Sequence, residues 1–171
     1  MHAPAQIRHL TAADVDLLRR LNAVFAAAFH DEHTYAGAPP DDAYCRQALS
    51  KDHVIVLVAL EDANVVGGLV AYELYKLERA RSEVYIYDLA VNESHRRQGI
   101  ATRLLERLRT VAHERDAWVV FVQADLGDEP AIALYEKLGL REEVLHFDLP
   151  VPCADAHGCR SPNDRGPTDG Q

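Results

Sequence analysis

The sequence predicts a mixed α/β domain, a central sheet flanked by helices. Three observations predict it. Strand-like and helix-like segments alternate in the order strand, helices, hairpin, strand, helix, strand, helix, strand. Two apolar runs flank the turn residues "EDAN", as an antiparallel hairpin requires. The stretch "YIYDLAVNESHRRQGIATRLLERL", Tyr85 to Leu108, joins an apolar run to an amphipathic helix through a basic, glycine-containing elbow.

The elements follow in order. Ile7 to Leu10 reads as a short strand. Thr11 and Asp14 are cap residues for a helix whose apolar positions Leu17, Leu18, Leu21, Val24, Phe25 and Phe29 recur at helical spacing. His30 to Pro40, "HDEHTYAGAPP", reads as a loop by its glycine and proline content. Asp41 or Asp42 can cap a second short helix through Leu49. Val54 to Leu60 and Val65 to Leu74 form the hairpin. Glu83 to Val91 is a third strand of that sheet. Gly99 to about Glu114 is a helix with Ile100, Leu104, Leu105, Leu108, Val111 and Ala112 on one stripe. Trp118 to Ala124 reads as a buried strand from its apolar run. Pro130 suits the first turn of a helix reaching Leu138, with Gly139 as its C-cap. Leu140 to Leu149 reads as a last strand.

A chain of 171 residues can bury a substantial core in one domain. Residues 1–152 are expected to form it. Residues 153–171, rich in turn formers and poor in large apolar side chains, read as a polar, flexible tail. The first residues show no apolar signal core, and no run approaches the roughly 18 apolar residues a membrane span needs. A cytoplasmic protein is expected. Cys45, Cys153 and Cys159 match no metal spacing and read as reduced thiols, with a Cys153–Cys159 bridge as the alternative. The nine histidines are scattered. No metal is expected.

The net charge is −9. In the tail, Asp155, Asp164 and Asp169 stand against Arg160 and Arg165, so most of the negative charge lies in the domain. This balance opposes nucleic acid and anionic membranes and suits a cationic partner.

A helix opening directly after a strand presents unpaired N–H groups and the positive end of its dipole, and anions dock there. Here the approach is Arg96-Arg97-Gln98-Gly99-Ile100-Ala101-Thr102. Gly99 permits close backbone approach, and the small Ala101 leaves the first turn clear. Neither a Walker loop nor a dinucleotide fingerprint is present. The local pattern alone fits a diphosphate cradle or a basic turn capping a helix.

Asp88 to Ala101 resembles the central motif of the GNAT superfamily of acyl-CoA-dependent N-acyltransferases, R/Q-x-x-G-x-G/A. Arg96, Gly99 and Ala101 stand at its positions, preceded by "LAV". "ALYEKLGL", Ala133 to Leu140, resembles the superfamily's second signature. More narrowly, "RSEVYIYDLAV", "HRRQGIATRLL", "VQADLGDEPAIALYEKLG" and "REEVLHFD" resemble bacterial aminoglycoside 3-N-acetyltransferases of the GNAT type. The first forty residues match weakly.

The resemblance implies acetyl-CoA as cosubstrate and an aminoglycoside acceptor acetylated at its 3-amino group. It implies that Leu89, Ala90 and Val91 pair through their backbone with the pantetheine arm. Arg96, Arg97, Gln98, Gly99, Ile100, Ala101 and Thr102 would hold the pyrophosphate. Tyr135 matches the tyrosine that often protonates the departing thiolate. Dimers are common in the superfamily, so a homodimer is among the partners it implies.

Acetyl transfer to an ammonium also needs a base. Asp88 ranks first, because a carboxylate among Ile86, Tyr87, Leu89 and Ala90 is costly unless paired or open to a cleft. Glu83 ranks second. Strict alternation puts Asp88 with Val84, Ile86 and Ala90, and Glu83 with Tyr85, Tyr87, Leu89 and Val91. A bulge would shift that assignment. A polycationic substrate needs carboxylates. Asp125, Asp128 and Glu129 offer one set, with Asp128 equally suited to capping a helix. Asp31, Glu32 and Tyr35 could form an opposite wall, and Glu142, Glu143, His146 and Asp148 lie on the last segment. A GNAT enzyme for a polyamine, small amine or protein N-terminus is the alternative, followed by a non-catalytic CoA-binding module.

Overall fold

A computed structural model describes residues 4–149 and 151. Cys153, Cys159 and the tail charges lie outside the described residues. The elements run β1 (Gln6–His9), α1 (Val15–Phe29), α2 (Glu32–Ala36), α3 (Asp42–Leu49), β2 (Val54–Glu61), β3 (Asn64–Tyr75), β4 (Ser82–Val91), α4 (Ile100–Glu114), β5 (Ala117–Val122) and α5 (Glu129–Glu136). The five strands form one mixed sheet in sequential order. The first four pair antiparallel, and β4 pairs with β5 in parallel.

The sheet separates two apolar layers. One face packs Ile55, Leu57, Leu69, Val84 and Ile86 against the α4 stripe Ile100, Leu104, Leu105, Leu108, Val111 and Ala112. The other packs Val56, Val58 and Ala90 against Leu21, Val24 and Phe25 of α1 and Leu49 of α3. This is the alternation expected of strands covered on both sides. The turn between β2 and β3 holds both Asp62 (φ 46°) and Ala63 (φ 67°) in the left-handed region, the geometry a two-residue hairpin favours.

Helix α1 crosses the sheet at Gly68. A β-carbon there would lie 2.5 Å from both Leu21 Cδ1 and the Leu57 carbonyl oxygen. The backbone oxygen cannot yield, so the helix or strand must shift. Gly68→Ala is expected to destabilise the fold by about 1–3 kcal/mol. Thermal unfolding should show it as a Tm lowered by roughly 2–4 °C per kcal/mol.

Three sequence expectations are corrected. The loop His30–Pro40 contains the short helix α2, because the Asp31 carboxylate accepts from the Thr34 N–H at 3.0 Å and caps it. Strand β5 is not buried: Trp118 is 68% and Val119 41% exposed. It lies at the edge of the described sheet. Residues 140–149 form no strand there. Their apolar side chains Val144, Leu145, Phe147 and Leu149 supplied the strand signal, but a strand also needs a partner, and these side chains stay exposed. Helix α5 ends at Glu136, with Gly139 donating to the Tyr135 carbonyl at 2.9 Å in the closing turn. Cys45 is buried and free. Among the described residues, no helix is long and apolar enough to cross a membrane.

Candidate active site

The site is built where β4 breaks its regular pattern. Val70 pairs with Asp88 and the next residue, Ala71, pairs with Ile86, so Tyr87 is the extra residue of a β-bulge. A bulge re-aims the side chains around it. Ile86 and Val84 face α4, whereas Ala90 faces α1. Asp88 therefore leaves the face of Val84 and Ile86 that strict alternation gave it, and keeps company with Ala90. Leu89 and Val91 join the α4 side.

On the α1 side, Tyr35 of α2 donates its O–H to Asp88 Oδ1 at 2.7 Å. Its ring sits on Phe25 and Phe29, with centroids 5.7 and 5.6 Å away. Helix α2 exists because Asp31 caps it, so the cap, the helix and the aromatic stack together set the Tyr35 hydroxyl. Burial pushes the Asp88 carboxyl above the usual carboxylate value, and the Tyr35 hydrogen bond pulls it partly back. Burial, then the bond to Asp88, raises the Tyr35 phenol, which stays protonated. Among the described residues, no basic side chain forms an ion pair with Asp88.

Past the bulge, β4 loses its neighbour. Pairing with β5 stops at Ile86↔Val122, while β4 continues to Val91. Among the described residues, Leu89, Ala90 and Val91 hence offer an open backbone edge on the β5 side and pair with Leu69, Gly68 and Gly67 of β3. This edge leads into the elbow. A single 3-10 turn, Glu93–His95, precedes it. Arg97 (φ 62°) and Gly99 (φ 76°) both adopt left-handed backbone. A β-carbon on Gly99 would meet nothing within 4 Å, so glycine serves the backbone angle there and leaves open space. Gly99 is the N-cap of α4. The N–H groups of Ile100, Ala101 and Thr102 thus belong to the unpaired first turn. Arg96 turns back, donating from Nε to the Val91 carbonyl at 3.3 Å, and Gln98 donates to the Ser94 carbonyl at 3.3 Å. Arg97 is exposed. The open edge and the free helix terminus fit an extended arm ending in a diphosphate.

Tyr135 of α5 packs on the α4 side with Leu89 and Ala101. Burial, aided by the Asp128 charge, pushes its phenol up to about 12. Asp88 and Tyr135 consequently lie on opposite faces of the sheet.

The other expected site residues are placed apart. Glu83 pairs across the hairpin with Leu74 and meets Lys76 at 3.5 Å, which takes the second-ranked base away from the bulge. Asp128 caps α5 by accepting from the Ala131 N–H at 3.1 Å, and Glu129 occupies its first turn. Asp125 is exposed before that helix, its carbonyl accepting from the Asp128 N–H at 3.0 Å. Glu142 is exposed, Arg141 holds Glu143 at 3.2 Å, and His146 meets Asp148 at 3.0 Å, all on the segment without a strand. Asp31 and Glu32 border an open depression of about 510 Å³ with Ala26, Ala27, His30 and His33. The sequence reading missed the rings beside Asp88: Tyr72, Tyr85, Tyr87 and Phe121. Their signal was visible as Tyr85 and Tyr87 in one strand with Tyr72 in its neighbour, but only the bulge gathers them with Asp88.

The model of the acetyltransferase (GNAT) family matches residues 18–140. The chain belongs to the GNAT acetyltransferase family. The match runs from Leu18, within α1, to beyond the end of α5 and therefore includes the bulge, the open edge and the elbow. An aminoglycoside acetyltransferase from an uncultured soil metagenomic sample is 53% identical, with a TM-score of 0.86 over 88% of this chain and 100% of that one. A second such enzyme from an uncultured soil metagenomic sample, solved in complex with sisomicin, is 30% identical, with a TM-score of 0.81 over 86% and 97% of the chains. An N-alpha-acetyltransferase of Saccharolobus solfataricus is 33% identical over 92 residues, half of this chain and 55% of the relative. That match therefore spans little more than half of the relative's length.

Proposed function

We propose that this GNAT enzyme transfers acetyl from acetyl-CoA to the 3-amino group of an aminoglycoside. The observation that carries the reading is Asp88, half-buried at the bulge with no ion-pair partner among the described residues, held by Tyr35 beside an open strand edge. The 53% identity to an aminoglycoside acetyltransferase supports the acceptor class.

Leu89–Val91 and the first turn of α4 would hold the acyl donor, whose thioester supplies the acetyl carbon that the amine attacks. Asp88 takes the proton of the acceptor ammonium. A carboxylate raised above the usual value is a stronger base than a surface aspartate. An ammonium entering a less polar site becomes a stronger acid, which narrows the gap from the other side. Tyr135, with its phenol at about 12, keeps its proton and offers it as a hydrogen bond to the departing sulfur. Tyr35 fixes the Asp88 carboxylate and tunes it.

Acetyl-CoA turnover should be measured with sisomicin, gentamicin and kanamycin, and the product's acetyl position read by NMR. Turnover with acetyl on the 3-amino nitrogen is the expected result. The similarity to N-alpha-acetyltransferases supplies the competing acceptor, a peptide α-amine. Turnover on such a peptide with none on the three drugs would overturn the aminoglycoside reading.

Tyr35→Phe provides a test of the tuning. Its bond to Asp88 lowers the carboxyl pKa, so removing it leaves burial unopposed and the pKa rises. Below that pKa Asp88 is protonated and cannot accept. The acid limb of kcat/KM is expected to move to higher pH in Tyr35→Phe, with the rate at high pH reduced much less than the rate at low pH.

A further inference from the structure

Four rings form a continuous strip across three strands beside Asp88. Tyr72 of β3 and Tyr87 of β4 meet edge to face with centroids 6.0 Å apart. Tyr87 and Tyr85 meet at 6.2 Å and 90°. Tyr85 and Phe121 of β5 lie 5.1 Å apart. The Tyr85 hydroxyl is tied to Gln123 at 3.1 Å. Register explains the strip: Tyr72 faces Tyr85, Tyr85 faces Phe121, and the bulge adds Tyr87.

An ordinary apolar cluster would be covered. Here Tyr87 is 63% and Phe121 36% exposed. Negative charge lies beside the strip: after burial, Asp88 helps raise the Tyr72 phenol, and after burial and Tyr87 it helps raise the Tyr85 phenol. On the far side of Asp88, Asp31 acts likewise on Tyr35. Aromatic faces are themselves electron-rich and attract cations. Asp88, tied to the Tyr35 hydroxyl but in no ion pair among the described residues, stands beside exposed ring faces as a receptor for positive charge.

We propose that Tyr72, Tyr85, Tyr87 and Phe121 are a platform that holds the acceptor as a cation, an ammonium-bearing sugar lying on the rings with one ammonium at Asp88. This rests on the acetyl-transfer reading of the site and adds residues that set acceptor affinity. The tyrosines and Phe121 bind through ring faces, so the contact survives loss of a hydroxyl but not loss of the ring. It also selects for positive charge over sugar shape alone.

The test is calorimetric binding of sisomicin to the wild type, Tyr87→Leu, Tyr87→Phe and Phe121→Leu, without acetyl-CoA. Tyr87 is exposed, so leucine there leaves the core intact, and unchanged acetyl-CoA affinity verifies the fold. Cation–π contacts at such sites correspond to about 3-fold to 30-fold in Kd. Tyr87→Leu and Phe121→Leu should weaken sisomicin binding within that range, while Tyr87→Phe stays within about twofold of wild type. Trehalose, a neutral disaccharide, should bind weakly and show no such loss. Equal sisomicin affinity in the leucine variants would overturn the platform. Equal loss for trehalose would overturn its selectivity for cations. If the wild type binds spermidine or a peptide amine instead of sisomicin, the aminoglycoside reading fails separately, and the same leucine and phenylalanine comparison on that amine decides the platform.

Discussion

Asp88→Asn is expected to abolish nearly all turnover while leaving the fold and acetyl-CoA binding intact. The substitution keeps an oxygen at the Oδ1 position, so Tyr35 still has an acceptor for the bond it makes at 2.7 Å. It removes the charge and the basicity. General-base catalysis by a positioned side chain is worth about 10²–10⁴-fold, and kcat should fall within that range. The pH profile separates this role from a structural one. In the wild type the rate should decline as pH falls through the Asp88 pKa, because the protonated acid cannot accept. Burial raises that pKa, so the decline should begin above the ordinary aspartate value of about 4. In Asp88→Asn this acid limb should vanish. The folded-state shift also has a stability sign. A carboxyl whose pKa is raised on folding stabilises the protein below its unfolded pKa and loses that contribution as pH rises through the folded value. Asp88→Asn should therefore be at least as stable as wild type near neutral pH by chemical denaturation. A loss of turnover accompanied by a lower denaturation midpoint would instead assign Asp88 a structural role.

The same aspartate shows what was legible in the chain and what was not. The long helices α1 and α4 were readable because their apolar positions repeat every three to four residues, and the α4 stripe from Ile100 to Ala112 lies buried as its spacing requires. The hairpin was readable because "EDAN" separates two apolar runs. The elbow was readable because Gly99 and its basic neighbours sit between a strand and a helix. Strand parity failed at one residue. Tyr87 interrupts the register, and everything beyond it changes face relative to Ile86. A bulge needs no special residue, so period-two reasoning carries no trace of it. Tyr35 illustrates a second limit. It was picked from a loop as one side of the site, yet its bond to a residue 53 positions away depends on a five-residue helix that the loop's glycine and proline concealed. Glu83 illustrates a third: a carboxylate suited to chemistry by type meets Lys76, a partner only geometry reveals, whereas the capping role that the sequence allowed Asp128 is the one it takes, accepting from the Ala131 N–H.

Thr102→Glu is expected to separate cofactor binding from helix stability by moving them in opposite directions. Thr102 stands three residues after the N-cap Gly99, in the first turn of α4. A carboxylate there interacts favourably with the positive end of the helix dipole, by about 0.3–1 kcal/mol at low salt. It also stands at a capping-box position, where a glutamate can reach back to the N-cap N–H. On stability grounds alone the substitution is neutral or helpful. A diphosphate at the same N–H groups reverses the account. Two like unit charges about 5 Å apart repel by roughly 3 kcal/mol at the effective dielectric of a protein surface. Salt screening reduces this, so KM for acetyl-CoA should rise on the order of 10-fold to 100-fold. The rise should shrink as ionic strength increases. Thr102→Gln has nearly the same size without the charge and should keep KM within a few-fold of wild type. The acceptor's KM should not change in either variant, because the proposed acceptor platform lies toward Asp88 and the rings. If Thr102→Glu left KM for acetyl-CoA unaltered at low salt, the diphosphate would have to bind away from the α4 terminus. The open space at Gly99 would then serve only the backbone turn.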